Sequence, residues 1–415
     1  MHEANLDKYL TYGPIVKEDF EAGNPVVHLF DPTDFARVFR SQGKHPIRPA
    51  PDFVRHYRSS RPDRYPTIGI ANSNGEEWFN ERQRLAPVLL KLGLTENHCP
   101  QQNAICDDLV EYLRNRPSTL VKRVQDLTDK LALESIASLC LGIRLGIFKS
   151  SDSTTTAGRV LSSSTRKLFE SYNELYYGMP VWKVLPSFLS PSFTSYVEAE
   201  ENIYNTANTV IMDRINKTTN HDKNTNNCPS QVSPSSTGCS NNTSFQEPRT
   251  DYLYDCDKQG NDDTDDVMTL KDTASNTDEP SSCLFETLLK DPDFDRRNIP
   301  ITVTDFMSGG IFAVSNSLTY ILYHLSCHPR VQEDLFTEIV TSMSSKETSL
   351  QSLQHENIST QDLSNMPLLK AVMKESFRLT SIIPAVVRIL GEETILSGYR
   401  VPKGVSIDVN FFQGL

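Results

Sequence analysis

The chain has 415 residues, of which 38% are hydrophobic, and its 53 acidic and 41 basic side chains give a formal net charge of −12. This length allows two average domains or one large one. The negative charge argues against nonspecific nucleic-acid binding, which requires basic side chains to neutralise phosphates. Because the eight cysteines show no C-x-x-C spacing, we expect mostly free thiols in a reducing compartment.

The N-terminal part is predicted to contain both helices and strands. Its hydrophobic pattern predicts a helix over 3–12, a hairpin of strands at 15–16 and 26–30, and a helix from 31 to 39. The first residues resemble neither a secretory signal nor an Arg-rich transit peptide. We therefore expect any targeting segment to be missing from this chain.

A stretch rich in Pro, Arg and Gly, 43–75, predicts an ordered loop region, and a helix is predicted to follow over 76–92. Trp78 and Arg82 lie four residues apart and therefore share one face of this helix. An indole N–H beside a guanidinium can clamp a carboxylate or a phosphate. The alternative is an ordinary Trp anchor beside surface arginines.

The middle of the chain changes abruptly in composition. Helical periodicity predicts helices over 100–115, 120–142, 155–178 and 192–216. The following segment, 218–282, consists largely of Asn, Ser, Thr and Asp, and its twelve acidic and four basic side chains supply eight of the chain's net negative charges. It cannot bury enough apolar surface to offset its ordering entropy, so we expect a disordered acidic insertion within a surface loop.

A long apolar helix is predicted from Thr302 or Thr304 to Cys327, ended by Pro329. It contains no charged residue from 306 to 327. Three interpretations compete: a buried core helix, a core helix lining a cofactor pocket, and a membrane span. The pair Gly309-Gly310 favours a local distortion or the close approach of a flat group, because Gly is costly within a helix.

The C-terminal part is predicted to be helical first and then to form strands. The pattern predicts a helix after Pro329, a helix over 362–380 and two short strands over 395–409. In the second of these helices, Glu375 and Arg378 lie three residues apart and can form an ion pair.

These features, in this order, resemble the cytochrome P450 family and specifically its mitochondrial type. Glu375 to Arg378 is similar to the E-x-x-R of the family's K helix, and Trp78 to Arg82 to the W-x-x-x-R of its C helix. The segment SGGIFAVSNSL is similar to the oxygen-binding part of its I helix. The resemblance covers the chain except the insertion at 218–282.

The resemblance implies a mainly α cytochrome P450 fold with small β-sheets, in which residues 1–415 form a single, C-terminally incomplete domain. It implies a haem-thiolate monooxygenase that uses haem b, O2 and electrons from an adrenodoxin-like ferredoxin to hydroxylate a lipophilic, sterol-like substrate. Trp78, Arg82 and Arg388 would hold the haem propionates. Lys370 and Lys374 would dock the ferredoxin, at the matrix side of the mitochondrial inner membrane and with peripheral membrane association.

The sequence departs from the family pattern at two places. No F-x-x-G-x-x-x-C-x-G segment occurs before Leu415, so we expect this chain to lack the metal ligand, to bind haem poorly and to be inactive by itself. Around Ser308, Gly309 and Gly310 the oxygen groove is recognisable. However, Phe312 and Ala313 occupy the positions of the family's acid and Thr, and neither can relay a proton. Either the enzyme is a slow or atypical oxidant, or the substrate's own hydroxyl carries the proton.

A second interpretation makes the chain a haem-free, non-catalytic helical protein that binds an apolar ligand or a ferredoxin. A third interpretation makes it a membrane protein that spans the bilayer at 306–327. The substrate itself is not readable from the sequence, because the family's pocket residues would lie in the loop region 43–75, in 155–200 and in the long apolar helix.

Overall fold

The structure is a computed structural model that describes residues 2–20, 24–49, 51–89, 92–115, 124–149, 156–177, 181–183, 189–225, 283–344 and 357–411. Its contacts divide the chain into two compact units, one formed by 1–215 with 281–415 and the other by 216–280. The predicted insertion lies outside the described residues except for 218–225, which stand at the end of a helix.

The larger unit is mainly helical, as the sequence predicts. Its helices before the insertion are α1 (His2–Tyr12), α2 (Pro32–Ser41), α3 (Asp52–Ser59), α4 (Gly75–Leu89), α5 (Leu92–Asn115), α6 (Val124–Leu141), α7 (Thr156–Tyr177) and the start of α8 (Pro191–Thr225). After it come α9 (Leu284–Lys290), α10 (Ile299–Cys327), α11 (Pro329–Ser344), α12 (Thr360–Ser364) and α13 (Pro367–Leu379). Short 3-10 turns occur at Val181–Lys183 and Arg296–Asn298.

Two small sheets accompany the helices. The four-stranded sheet has the order β1 (Ile15–Phe20), β2 (Asn24–Leu29), β6 (Ser406–Asn410), β3 (Ala385–Ile389), and the two-stranded sheet pairs β4 (Thr394–Leu396) with β5 (Tyr399–Val401). Strands β1 and β2 form the predicted antiparallel hairpin, with Ile15 opposite Leu29. Strand β6 runs parallel to β2 and antiparallel to β3, so it joins the two ends of the chain.

Helix α10 lies against α6 in the main hydrophobic core. Ile301, Val303, Met307 and Ile311 of α10 are buried there with Leu133 and Ala137 of α6. Among the described residues, no helix has the length and hydropathy that crossing a membrane requires.

Several predicted boundaries are wrong for identifiable reasons. Helix α10 begins at Ile299, with Asn298 as its N-cap, because Pro300 suits the first helical turn; neither Thr302 nor Thr304 caps it. The single helix predicted over 362–380 is two helices, since Pro367 begins α13. The loop region 43–75 contains α3, and the strands predicted over 395–409 are three, counting β4, β5 and β6.

Candidate functional site

Trp78 and Arg82 project from α4, as the sequence predicts, and a third residue joins them. Trp78 is half-buried, and the guanidinium of Arg48 lies over its ring at 4.8 Å from the ring centroid. This distance is typical of a cation–π contact. Arg82 is exposed one turn further along the helix. Arg48 belongs to the loop region before α3, and no local sequence motif distinguishes it from the other arginines there.

Hydrogen bonds to neighbouring residues hold Arg48 in place. Its backbone N–H donates to Oδ1 of Asn74 at 2.6 Å, and its Nη2 donates to the carbonyls of Ile70 and Ser73 at 3.1 and 3.0 Å. Its Nε is buried and has no hydrogen-bond partner among the described residues. A buried donor without a partner is costly, so an acceptor from a ligand fits this position.

Arg388 approaches the same place from strand β3. The backbone N–H of Ile389 donates to the carbonyl of Ile47 at 3.1 Å, which ties the strand to the loop that carries Arg48. Arg388 donates from Nη1 to the carbonyl of Val387 at 2.8 Å, and its guanidinium lies 5.3 Å from the ring centroid of Phe39. Burial lowers the pKa of Arg388.

Electrostatics connect Arg48 with the other two arginines. The pKa of Arg48 is lowered by burial first, and then by the positive charges of Arg388 and Arg82. Among the described residues, none of the three forms an ion pair with a carboxylate. Guanidinium groups without a carboxylate partner, beside an indole, make a site for an anion, which would relieve the repulsion that Arg48 experiences and supply the missing acceptor of its Nε. We call Arg48, Trp78, Arg82 and Arg388 the arginine cluster.

The two glycines of α10 differ in their surroundings. A Cβ added at Gly310 would lie 2.9 Å from Cδ1 of Ile136, so Gly310 permits close packing of α10 on α6. A Cβ at Gly309 would meet nothing within 4 Å, and Gly309 is exposed. Of the two glycines, Gly309 is the one with open space in front of it, where a flat group could approach the helix. Gly310 instead packs against α6.

The other predicted groove residues lie around that face. Ser308 is buried, and its hydroxyl donates to the carbonyl of Asp305 at 3.3 Å. Phe312 stacks on Phe169 of α7 with a centroid distance of 3.9 Å. Ala313 is half-buried. The structure thus gives Phe312 a packing partner and no hydrogen-bonding role.

Glu375 and Arg378 form the predicted pair on α13, with Nη2 and Oε1 2.7 Å apart, and both side chains are more than half exposed. The hydrogen bond from Arg378 lowers the pKa of Glu375. Lys370 and Lys374 are exposed on the same helix, where Nζ of Lys370 donates to the carbonyl of Ser364 at 3.0 Å. Both lysines therefore remain accessible to a partner.

Three of the described cysteines have a thiol whose pKa is raised, which favours the protonated form over the thiolate. Burial raises the pKa of Cys140 to about 12 and also raises the pKa of Cys106 and of Cys283. Cys99 donates from Sγ to the carbonyl of Ile358 at 3.0 Å. Cys228, Cys239 and Cys256 lie outside the described residues. In the part of the chain that the structure describes, no group of three or more His, Cys, Asp and Glu side chains is placed to hold a metal ion.

A protein-family model described as cytochrome P450 matches residues 2–413 of the chain. The chain belongs to the cytochrome P450 family. Its mainly helical architecture with small β-sheets agrees with the fold that the resemblance implied. The arginine cluster and the open face of Gly309 thus lie in a cytochrome P450 fold.

Mitochondrial members of the family are among its relatives. The chain is 27% identical to ecdysone 20-monooxygenase of Drosophila melanogaster over 98% of its own length and 64% of the relative's. It is 26% identical to cytochrome P450 302a1, mitochondrial, of the same fly, over 98% and 69% of the two lengths. For probable cytochrome P450 12b2, mitochondrial, the identity is 24%, over 95% and 62%. The chain therefore spans about two thirds of the length of these relatives.

The haem of this family can be tested against the residues present. Its two propionates fit the arginine cluster, because the orphaned Nε of Arg48 and the unpaired guanidinium groups need anionic acceptors. Gly309 leaves room for a planar group beside α10. The residues described therefore fit the acidic edge and one face of a haem, whereas none of the described cysteines is assigned as its iron ligand.

Proposed function

We propose that the arginine cluster binds the propionates of haem b in a mitochondrial-type haem-thiolate monooxygenase. The observation that carries this proposal is the convergence of Arg48, Arg82 and Arg388 on one space without a compensating carboxylate. Arg48 and Arg388 are half-buried, and burial lowers the pKa of both, so a positive charge without a carboxylate partner is disfavoured at these two positions. A dianionic ligand removes that cost.

Each residue of the cluster has a distinct task in this proposal. Arg48 is fixed by two backbone carbonyls and provides a preorganised donor at Nε. Arg82 and Arg388 add charge from the helix and the strand. Because Gly309 has no side chain, the space in front of α10 stays open at this position. When bound, haem supplies the activation of O2 for insertion of one oxygen atom into the substrate.

The substrate and the electron donor follow from the relatives and from the surface of α13. One relative is named for the 20-monooxygenation of ecdysone, which supports a lipophilic, sterol-like substrate. Relatives named as mitochondrial support a mitochondrial location and a ferredoxin as donor. We propose the matrix side of the inner membrane, with peripheral association, from the family resemblance alone. The exposed pair Lys370 and Lys374 offers the positive patch that an acidic ferredoxin requires.

Haem titration of the purified chain tests the central proposal. Arg82→Gln removes an exposed guanidinium for which the described residues offer no partner, so the fold is not expected to change. Haem affinity is expected to fall about tenfold, the effect of one charge-assisted hydrogen bond. Arg55→Gln on α3, equally exposed and also without a described partner, is the matched control and should leave affinity unchanged. Equal affinities of the two variants would refute the role of Arg82.

The same titration decides the alternative function, a haem-free protein that binds an apolar ligand or a ferredoxin. The raised pKa of Cys106, Cys140 and Cys283 favours this alternative, because a protonated thiol is a poor iron ligand. Absence of any haem uptake by the wild-type chain would support it. Uptake with the carbon-monoxide spectrum of a thiolate-ligated haem would exclude it.

A further inference from the structure

The loop that carries Arg48 meets α4 at the N-terminus of that helix. Gly75, the first residue of α4, donates from its backbone N–H to the carbonyl of Pro46 at 3.2 Å. The residue before it is Asn74, whose side chain is half-buried. Asn74 therefore lies at the junction between the loop and the helix, the two segments that contribute Arg48 and Trp78 to the arginine cluster.

Asn74 forms hydrogen bonds to both sides of this junction. Its side-chain Oδ1 accepts from the backbone N–H of Arg48 at 2.6 Å, and its backbone carbonyl accepts from the backbone N–H of Trp78 at 3.3 Å. Only the oxygen of a side-chain amide can accept from an N–H, so the contact with Arg48 fixes the orientation of the amide. One residue thus connects the backbones of the two cluster residues whose side chains are in contact.

The guanidinium of Arg48 has separate anchors. Its Nη2 donates to two backbone carbonyls of the turn over 69–73. Ser73 ties this turn to α4, because its hydroxyl donates to Oε2 of Glu81 at 3.0 Å. The anchors of the guanidinium are therefore backbone groups, whereas the acceptor for the backbone N–H of Arg48 is the side chain of Asn74. A substitution at Asn74 removes that acceptor and leaves the carbonyls in place.

Arg48 has a physical reason to leave this position when no anion is bound. It is half-buried, and Arg82 and Arg388 repel its charge. An arginine side chain also gains about 2 kcal/mol of rotamer entropy when it is released into solvent. A fixed backbone opposes both effects, because it limits how far the guanidinium can move away from the ring of Trp78.

We infer that Asn74 is a positioning residue of the arginine cluster, which holds the backbone of Arg48 so that the guanidinium stays over Trp78 before an anion binds. A donor that is already in place loses less freedom on binding, so Asn74 increases the affinity for an anionic ligand. The positioning depends only on contacts within the chain, whereas its effect on haem binding rests on the proposed function.

Tryptophan fluorescence of the haem-free chain tests the positioning. The sequence contains two tryptophans, so Trp182→Phe leaves Trp78 as the single reporter. In this background Asn74→Ala should increase the quenching of Trp78 by acrylamide, because the guanidinium of Arg48 covers the ring for less of the time. Asn74→Asp retains an Oδ1 acceptor and should restore the quenching of the parent chain.

Asn103→Ala is the matched control. Oδ1 of Asn103 also accepts from a backbone N–H, that of Ile358 at 3.2 Å, but this bond joins α5 to the residues before α12. The control should destabilise the fold to a similar extent and leave the quenching of Trp78 unchanged. Unchanged quenching in Asn74→Ala, or an equal increase in Asn103→Ala, would overturn the inference.

Titration with haem and with its dimethyl ester separates this inference from the proposed function, because the ester lacks the two negative charges. Asn74→Ala should lower the affinity for haem about fivefold, the effect of one neutral hydrogen bond, and leave the affinity for the ester unchanged. Increased quenching with an unchanged affinity for haem would overturn the effect on anion binding. Equal affinities of the unsubstituted chain for haem and ester would refute the proposed function, and the quenching would still decide whether Asn74 positions Arg48.

Discussion

Gly69 lies where a side chain would clash with a buried ion-pair network. Its φ of +81° favours glycine, and a Cβ there would overlap Oδ2 of Asp305 and lie 2.7 Å from Nη1 of Arg58. Arg58 is 3% exposed and pairs with Glu200 at 2.5 Å and with Asp305 at 2.8 Å. This network connects α3 with α8 and α10, and Arg58 also donates to the carbonyl of Ile68 in the loop before α4. A backbone constraint at one residue therefore protects a buried charge cluster.

Gly69→Ala is expected to lower the free energy of unfolding by about 3 kcal/mol or more, because it strains the backbone and separates a buried ion pair. Denaturant unfolding measures this change. Gly13→Ala is the matched control: Gly13 has a φ of +90°, but a Cβ there would meet nothing within 4 Å. Its cost should be about 1 kcal/mol, from the backbone alone. Similar costs for the two variants would show that the Arg58 network does not depend on Gly69.

Glu200 makes the same network sensitive to pH. Burial raises its pKa above 4.5, outweighing the opposing effect of Arg58. The folded state therefore binds this proton more tightly than the unfolded state. The stability that this proton contributes is fully present below pH 4.5 and is lost as pH rises through the raised pKa.

Glu200→Gln should remove this dependence. The free energy of unfolding of the wild type relative to Glu200→Gln is expected to fall as pH rises from 4.5, by at most about 1.4 kcal/mol per pH unit. Urea unfolding over a series of pH values measures it. Glu201→Gln, which changes a neighbouring carboxylate paired with Arg61, is the control. A difference between wild type and Glu200→Gln that stays constant with pH would contradict the raised pKa.

At the scale of elements, the contact between α6 and α10 determines how the site is supported. Gly310 allows the two helices to approach at Ile136, and a polar seam of Thr128, Asp129 and Ser315 joins them further along. Buried polar groups of this kind are destabilising unless all are paired. The seam therefore fixes one register between the helices, and with it the direction in which Gly309 faces.

Asp129→Ala tests the seam. It deprives Ser315 and Gln125 of an acceptor, so the free energy of unfolding should fall by about 2–3 kcal/mol. Asp126→Ala on the same helix is the matched control, because Asp126 pairs with the same Arg166 at 3.4 Å but is 41% exposed. Its cost should be about 0.5 kcal/mol or less. Thermal unfolding compares the two variants, and equal shifts in Tm would count against the seam.

The sequence predicts elements well where the signal is local. Asp31 caps α2 through the backbone N–H of Thr33, and α10 ends at Cys327, as expected. Errors occur where one residue competes with a periodic pattern, as when Pro367 splits a predicted helix. The short helix α3 lies within the predicted loop region 43–75. Its hydrophobic periodicity is too short to detect among the surrounding Pro and Arg residues.

The candidate site shows the same limit. Trp78 and Arg82 share a helical turn, so their spacing reveals them. Arg48 lies in a loop, and hydrogen bonds such as that from Ile389 to Ile47 bring it to Arg388, 340 positions further along the chain. No local pattern encodes such a contact.

At the scale of the whole molecule, charge bears on the proposed complex with an acidic ferredoxin. The chain carries a net charge of −12, so such a partner would be repelled at long range and would need a local positive patch to bind. Lys370 and Lys374 lie four residues apart on α13 and therefore share one face. Salt screens both effects, over about 8 Å at physiological ionic strength.

The double variant Lys370→Glu/Lys374→Glu should weaken binding of an adrenodoxin-like ferredoxin by about tenfold to a hundredfold at low salt, because it replaces attraction by repulsion at the contact. Lys44→Glu/Lys403→Glu changes the net charge by the same amount at two exposed lysines outside α13 and is the matched control. Calorimetric titration at two salt concentrations separates the local effect from the global one. If α13 is the docking surface, only the first variant should lose much of its affinity for the ferredoxin, and this loss should be smaller at high salt. Equal losses for both variants would mean that net charge alone controls the encounter and that α13 is not the docking surface.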